Sequence, residues 1–329
     1  MVCFVGAGSG DPELVTLKGK RLLETADVII YDRLVHPILL HLAKPSARFI
    51  YSGKYPKNHV LKQSNINRLL QEEGRQDQLV VRLKGGDPGI FGRVGEEIAV
   101  LRELGIPYEV VPGVTAASAA SSYSGIPLTH REHSSKVTFV TAHRKQGENL
   151  DFKGLTEKGT ICLYMGVEYA SETQKKLLEQ GVSPSLPVAV IEWGTLGRQR
   201  TVTTDLGQLL QTIEEHQVSN PSMIIVGEVV SERQTPDWFE RKPLFGKKIL
   251  LVDTERISFE VLVDYTVQGA DVYGIQVGEQ RDRRFDEVDA QYLADHSFDE
   301  ILYLNTQASE MYPSSNSFIL QPITKSNAR

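Results

Sequence analysis

Residues 80–97, VVRLKGGDPGIFGRVGEE, decide how this chain is read. Leu79, Val80, Val81 and Leu83 make a short β-branched and apolar run, which predicts a strand. It breaks at Gly85, Gly86, Asp87, Pro88 and Gly89, and a helix is predicted from Glu96 to Leu104, stopped by Gly105. Three glycines and a proline in five residues exceed what a surface turn requires. Glycine admits close backbone approach, and proline fixes one φ and removes a donor. At the carboxyl end of a parallel strand, this is where an open α/β sheet holds a ligand.

Working outward, the flanking sequence repeats the strand–turn–helix pattern. A strand at 2–5 runs into Gly6, Gly8, Gly10, Asp11 and Pro12, with Asp11 as N-cap and Pro12 at the first helical position. Leu14, Leu17, Leu22 and Leu23 are expected on the buried side of the helix that follows. A strand at 27–31 ends in Asp32 and Arg33, a strand at 48–52 precedes Lys54, and a strand at 108–111 closes on Pro112 and Gly113. The first of these units imitates a dinucleotide-binding turn. That reading is marked down, because Asp11 sits where a pyrophosphate would have to meet the helix N-terminus. A second alternating series begins at Lys136, with strands expected at 137–141, 160–164, 188–191, 199–203 and 223–226 and helices near 171–180 and 205–215. The expected division is an α/β lobe at 1–125, a second at 126–231, a linker at 232–245 and a small α/β unit at 246–329, with a cleft between the first two.

The chain has 329 residues, 40% hydrophobic and 24% charged, enough for two domains or a little more. Its net charge of −6 falls from Gly246 onward, where 8 Lys and Arg face 14 Asp and Glu. That imbalance marks the tail as a separate unit, and no basic stripe points to nucleic acid. No apolar run approaches a membrane span, and no signal peptide is expected before the first strand. Cys3 and Cys162 are too few for a disulfide framework, so a cytoplasmic setting is expected.

The scattered histidines, with His130 and His133 the one close pair, predict no metal site. No GxSxG serine and no phosphate-binding GxxxxGK[ST] loop is present. Chemistry therefore falls to strand ends: Asp32, Arg33, Lys54 and Asp87, two carboxylates and two cations on one sheet edge. His130, Arg131, His143 and Arg144 add cations to the facing half. For each, an ordinary solvated charge or surface ion pair stays open on spacing alone.

Seven segments, VGAGSGDPELVTLKG, ADVIIYDRLV, VVRLKGGDPGIFGRVGEE, VVPGVTAASAASSYSGIPLTHR, FVTAH, LYMG and MIIVGEVV, occur in order across about residues 2–231. On these the chain resembles the tetrapyrrole methylase family, and YDRLV with IPLTHR resembles the branch acting on uroporphyrinogen III. The resemblance implies a two-lobed α/β methylase fold with the active site in the cleft between the lobes. It further implies transfer of methyl groups from S-adenosylmethionine to C2 and C7 of uroporphyrinogen III, giving precorrin-2 for sirohaem or cobalamin, by a homodimer. A tetrapyrrole- or cofactor-binding protein without turnover is the alternative. Implied cofactor contacts are Ser9, Gly85, Gly86, Asp87, Ile90, Thr115, Ala116, Met165 and Gly194. Asp32 is implied as proton acceptor and Lys54 as proton donor, with Arg33, His130 and Arg131 meeting the substrate's carboxylates. Ser9, Gly89, Val94 and Ala142 depart from the family pattern, the middle two inside the cofactor turn. From about Leu244 the tail resembles the beginning of the uroporphyrinogen-III synthases, over about half of one, which implies an incomplete unit without synthase activity.

Overall fold

The computed structural model describes residues 1–53, 63–142 and 151–313, and the backbone of 317–319. Five strands, β1 (Val2–Gly6), β2 (Val28–Tyr31), β3 (Arg48–Tyr51), β4 (Val80–Lys84) and β5 (Tyr108–Val111), form a wholly parallel sheet in the order β3-β2-β4-β1-β5. Strand alternation sorts their side chains to two faces. Cys3, Val5, Ile29, Val81 and Leu83 enter one core, and Val2, Phe4, Val28, Ile30 and Val80 enter the other. Around this sheet lie α1 (Leu17–Thr25), α2 (Gln63–Gly74) and α3 (Val94–Glu103), whereas α4 (Ala116–Tyr123) leads away from it and packs through Ala117 and Ala120 on the second sheet.

The first helix departs from expectation. Asp11 caps only a single 3-10 turn, Pro12–Leu14, and α1 starts at Leu17 behind its own cap, Thr16, whose side chain accepts from the Gly19 amide. Leu17 is 89% exposed rather than buried. The restart changes which residues share a face.

The second sheet holds β6 (Lys136–Thr141), β7 (Gly159–Tyr164), β8 (Pro187–Glu192), β9 (Arg200–Asp205) and β10 (Ser222–Val226), in the order β6-β7-β10-β8-β9. Only β6 and β7 pair in parallel; the other three pairings are antiparallel. The stretch between β8 and β9 is too short for a crossover helix, so the chain must reverse there. Its helices are α5 (Ala170–Glu179) and α6 (Leu209–Glu215).

A third sheet, all parallel in the order β12-β11-β13-β14, contains β11 (Lys248–Asp253), β12 (Asp271–Gln276), β13 (Glu300–Tyr303) and β14 (Ser317–Ile319), with α7 (Phe259–Val267), α8 (Asp286–Asp295) and α9 (Thr306–Met311). Residues from Pro313 onward read as loosely held, yet 317–319 add a strand beside β13. The stretch before this sheet is anchored, not free. Phe239 is buried against Tyr123 and Phe245, and the Trp238 indole donates to the Ser122 carbonyl at 2.9 Å. Among the described residues no helix is long and apolar enough to cross a membrane.

Candidate active site

The loops after β1, β4 and β5 meet at one point on the carboxyl edge of the first sheet. Gly86 donates to the Gly8 carbonyl at 2.6 Å and stands at φ +68, a left-handed geometry that suits glycine. A Cβ on Gly113 would lie 2.3 Å from the Gly86 oxygen and 2.7 Å from the Gly6 Cα. Asp87 fastens this convergence: one carboxylate oxygen accepts from the Gly89 amide at 2.7 Å, the other from the Gly113 amide at 3.0 Å. Its role here is to join two loops.

In front of the loops is a cavity of about 790 Å³, within the range of small-molecule sites. Second-sheet residues close it. The Tyr164 hydroxyl lies 2.6 Å from Thr115 Oγ1 and accepts from the Ala117 amide, and its ring packs on Phe91 at 4.8 Å. The Asp11 amide donates to Thr195 Oγ1 at 2.9 Å, tying the first loop to the turn after β8. Seven non-glycine residues among those described have positive φ, and four of them, Phe91, Arg93, Met165 and Trp193, line this cavity. Backbone strain of this kind collects where a site dictates geometry.

Beneath it runs a buried charge network. Arg82 (2% exposed), Lys84 (5%) and Glu97 (1%) lie together, with Lys84 Nζ at 3.0 and 3.1 Å from the Glu97 oxygens and Arg82 Nε at 3.6 Å. Burial, then the neighbouring Arg82, pull the Lys84 ammonium below its ordinary value against the opposing pull of Glu97. Arg82 Nη2 also stands 3.6 Å from an Asp32 oxygen, whose other oxygen accepts from the Leu34 amide at 3.1 Å. The Asp32 carboxylate is thus oriented from below and open towards the cavity. Burial pushes the Cys162 thiol up to about 12, which leaves it unreactive.

Of the residues expected at the site, Ser9, Asp32, Arg33, Gly85, Gly86, Asp87, Ile90, Thr115, Ala116, Met165 and Gly194 all line the cavity. Lys54, His143 and Arg144 lie outside the described residues. His130 and Arg131 are not brought to it. They sit in a tight turn closed by reciprocal hydrogen bonds between His130 and Ser134, where His130 stacks on His133 at 4.8 Å and His133 Nε2 lies 2.9 Å from Glu232. His130, Glu132 and His133 hold atoms able to bind a metal within 4.8 Å of one another, on this outer turn. Sequence reasoning missed the Arg82–Lys84–Glu97 network, although two cations alternating in an apolar strand were its signal. It also missed a third wall, from α8, for which the sequence carried no local signal.

The profile of the tetrapyrrole (corrin/porphyrin) methylases matches residues 1–210. The chain belongs to the tetrapyrrole methylase family. Of this chain, 77% aligns at 51% identity with a Bacillus subtilis (strain 168) uroporphyrinogen-III C-methyltransferase, covering 53% of that protein. A second uroporphyrinogen-III C-methyltransferase of the same strain is 46% identical over 73% of this chain and 94% of its own length. The chain therefore spans about half of the first relative and nearly all of the second. Among solved structures, uroporphyrin-III C-methyl transferase from Thermus thermophilus complexed with S-adenyl homocysteine superimposes with a TM-score of 0.60 at 39% identity, over 70% of this chain and 92% of that one.

Proposed function

We propose that this methylase transfers methyl groups from S-adenosylmethionine to C2 and C7 of uroporphyrinogen III, forming precorrin-2. The carrying observation is the convergence of three glycine loops in front of an oriented, cavity-facing Asp32. The cavity suits the donor: main-chain groups at Gly85, Gly86 and Ala116 face its polar parts, and Ile90, Met165 and Ile191 offer apolar surface. Bound there, S-adenosylmethionine supplies an already activated methyl group. What remains for the protein is placement of an electron-rich pyrrole carbon and removal of a proton. Asp32, held by the Leu34 amide and Arg82, takes that proton; Arg33, exposed at the same strand end, meets a substrate carboxylate. Lys54, three residues beyond β3, is the proton donor in this reading. His130 and Arg131, away from the cavity, have no part in it within one chain.

The reading extends to a homodimer in the cytoplasm, divided at 1–125, 126–231, 232–245 and 246–329, the last a synthase-like unit. Anaerobic incubation with freshly reduced uroporphyrinogen III and labelled S-adenosylmethionine tests the activity. Wild-type protein is expected to incorporate label, and Asp32→Asn to lose about 10²- to 10⁴-fold in kcat while still binding the donor. Binding of both ligands by wild-type protein without incorporation would instead favour a carrier of tetrapyrrole or cofactor.

A further inference from the structure

The C-terminal unit forms part of the cavity itself. Val288, Gln291, Tyr292 and Asp295 of α8, together with His296, line it opposite the ends of β2 and β3. Their spacing at i, i+3, i+4, i+7 and i+8 is that of one helix face, so the whole inward face of α8 is committed to this wall. The face is docked rigidly. Phe285 and Val288 are buried in the core of the first sheet, with Phe285 against Phe49 at 5.2 Å and His41 at 4.6 Å. Arg284 donates to the Lys44 and Ala47 carbonyls, and Arg256 to those of His41 and Ala43. On the other side, His296 meets Trp193 edge-on at 6.2 Å.

Two polar residues of this face reach the end of β3, Gln291 by hydrogen bonding to the Tyr51 phenol. Gln291 and Asp295 approach the Tyr51 phenol, where the charges of Arg33, Asp32 and Asp295 are all felt. Asp295 is exposed and is the last residue of α8, where a negative charge opposes the helix dipole. A residue that works against its own helix, lining the same cavity as the exposed Arg33 guanidinium, bears on what enters. We propose that α8 is the substrate-side wall of the methylation cavity, and that Gln291 and Asp295 are specificity-determining residues that sort carboxylate-bearing tetrapyrroles by size and charge. The proposal rests on the methyltransferase reading above. Asp295 repels a peripheral carboxylate along α8 while Arg33 accepts one across from it, which fixes how the macrocycle is turned. Gln291 sets how far the macrocycle can slide towards β3.

The test uses the full-length chain as wild type, Asp295→Asn, Asp295→Lys and Gln291→Trp. Each is measured for KM and kcat with uroporphyrinogen III at low and high salt, and for S-adenosylhomocysteine affinity by calorimetry. KM is expected to fall about threefold for Asp295→Asn and further for Asp295→Lys, a gain that shrinks at high salt. Gln291→Trp is expected to raise KM about tenfold or more, with S-adenosylhomocysteine affinity held in all variants. Unchanged KM across the Asp295 pair, or a shift confined to S-adenosylhomocysteine, overturns the proposal, and the surface pair decides it even where the tryptophan variant does not fold. Wild-type protein that never methylates would refute the functional reading separately. The wall is then judged by binding of oxidised uroporphyrin, with the same order of affinities expected.

Discussion

Where the loops after β1, β4 and β5 meet, the surface offered to a ligand is main chain: the loops come so close that neither Gly6 nor Gly113 has room for a side chain. On the α8 side the surface is side chain, with Gln291, Tyr292, Asp295 and His296 projecting from a helix that is itself well packed. The two constructions tolerate change differently. A main-chain cradle holds one shape, so a single added carbon disrupts it; a side-chain wall can be altered residue by residue with graded results. The invariant half of a ligand belongs in the first and the variable half against the second.

The largest effect that would break this contrast is at Gly113. Gly113→Ala puts a carbon 2.3 Å from the Gly86 oxygen, a main-chain atom with nowhere to go, and should abolish S-adenosylhomocysteine binding and destabilise the fold by about 3 kcal/mol or more. Thermal melting with calorimetric titration reads both; a near-native variant would mean the loops are softer than described. Next is Glu97→Ala, which strands two buried cations and should cost about 3–5 kcal/mol in urea unfolding.

An effect of similar total size, spread over pH, concerns the helix behind the other wall. Burial, with help from Asp286 and Asp282, raises the Asp289 carboxyl on α8 to about 7, although the Tyr273 hydroxyl donates to it at 2.6 Å. Between its ordinary range and pH 7 the unfolded chain has released this proton and the folded chain has not. Stability should therefore fall as pH rises from about 4 to 7, by up to about 1.4 kcal/mol per unit, and level off above. In Asp289→Asn this slope should vanish, as unfolding at pH 5 and pH 7.5 will tell. The smallest effect is of opposite sign. Gly95 lies inside α3 with open space where a Cβ would go, so Gly95→Ala should stabilise by about 0.5–1 kcal/mol without touching ligand binding.

The same contrast explains what could be read from the sequence. Gly85, Gly86 and Asp87 announce themselves because a main-chain cradle demands particular residue types at particular places, and the parallel first sheet follows from the strand–turn–helix rhythm around them. Leu17 misled because the chain restarts its helix behind Thr16, a local capping choice that outweighs leucine periodicity. The antiparallel pairing of β8 with β9 and β10 went unread because alternation of elements does not encode strand direction. The α8 face was least legible of all. Its sequence, DEVDAQYLAD, forms a helix, but which surface it meets depends on contacts far away in the chain.

One carboxylate ties the architecture together. Asp271, at the start of β12, is buried with its oxygens 3.8 Å from His36 Nε2 of the first lobe and 2.7 Å from Arg198 Nε of the second, whose guanidinium lies 4.0 Å over Trp193. Contacts from all three parts of the chain thus meet at one buried carboxylate, and drawing the third sheet away would uncover it together with its Arg198 partner. Heating this protein should not peel away its C-terminal third first. The three units are built to melt as one cooperative body.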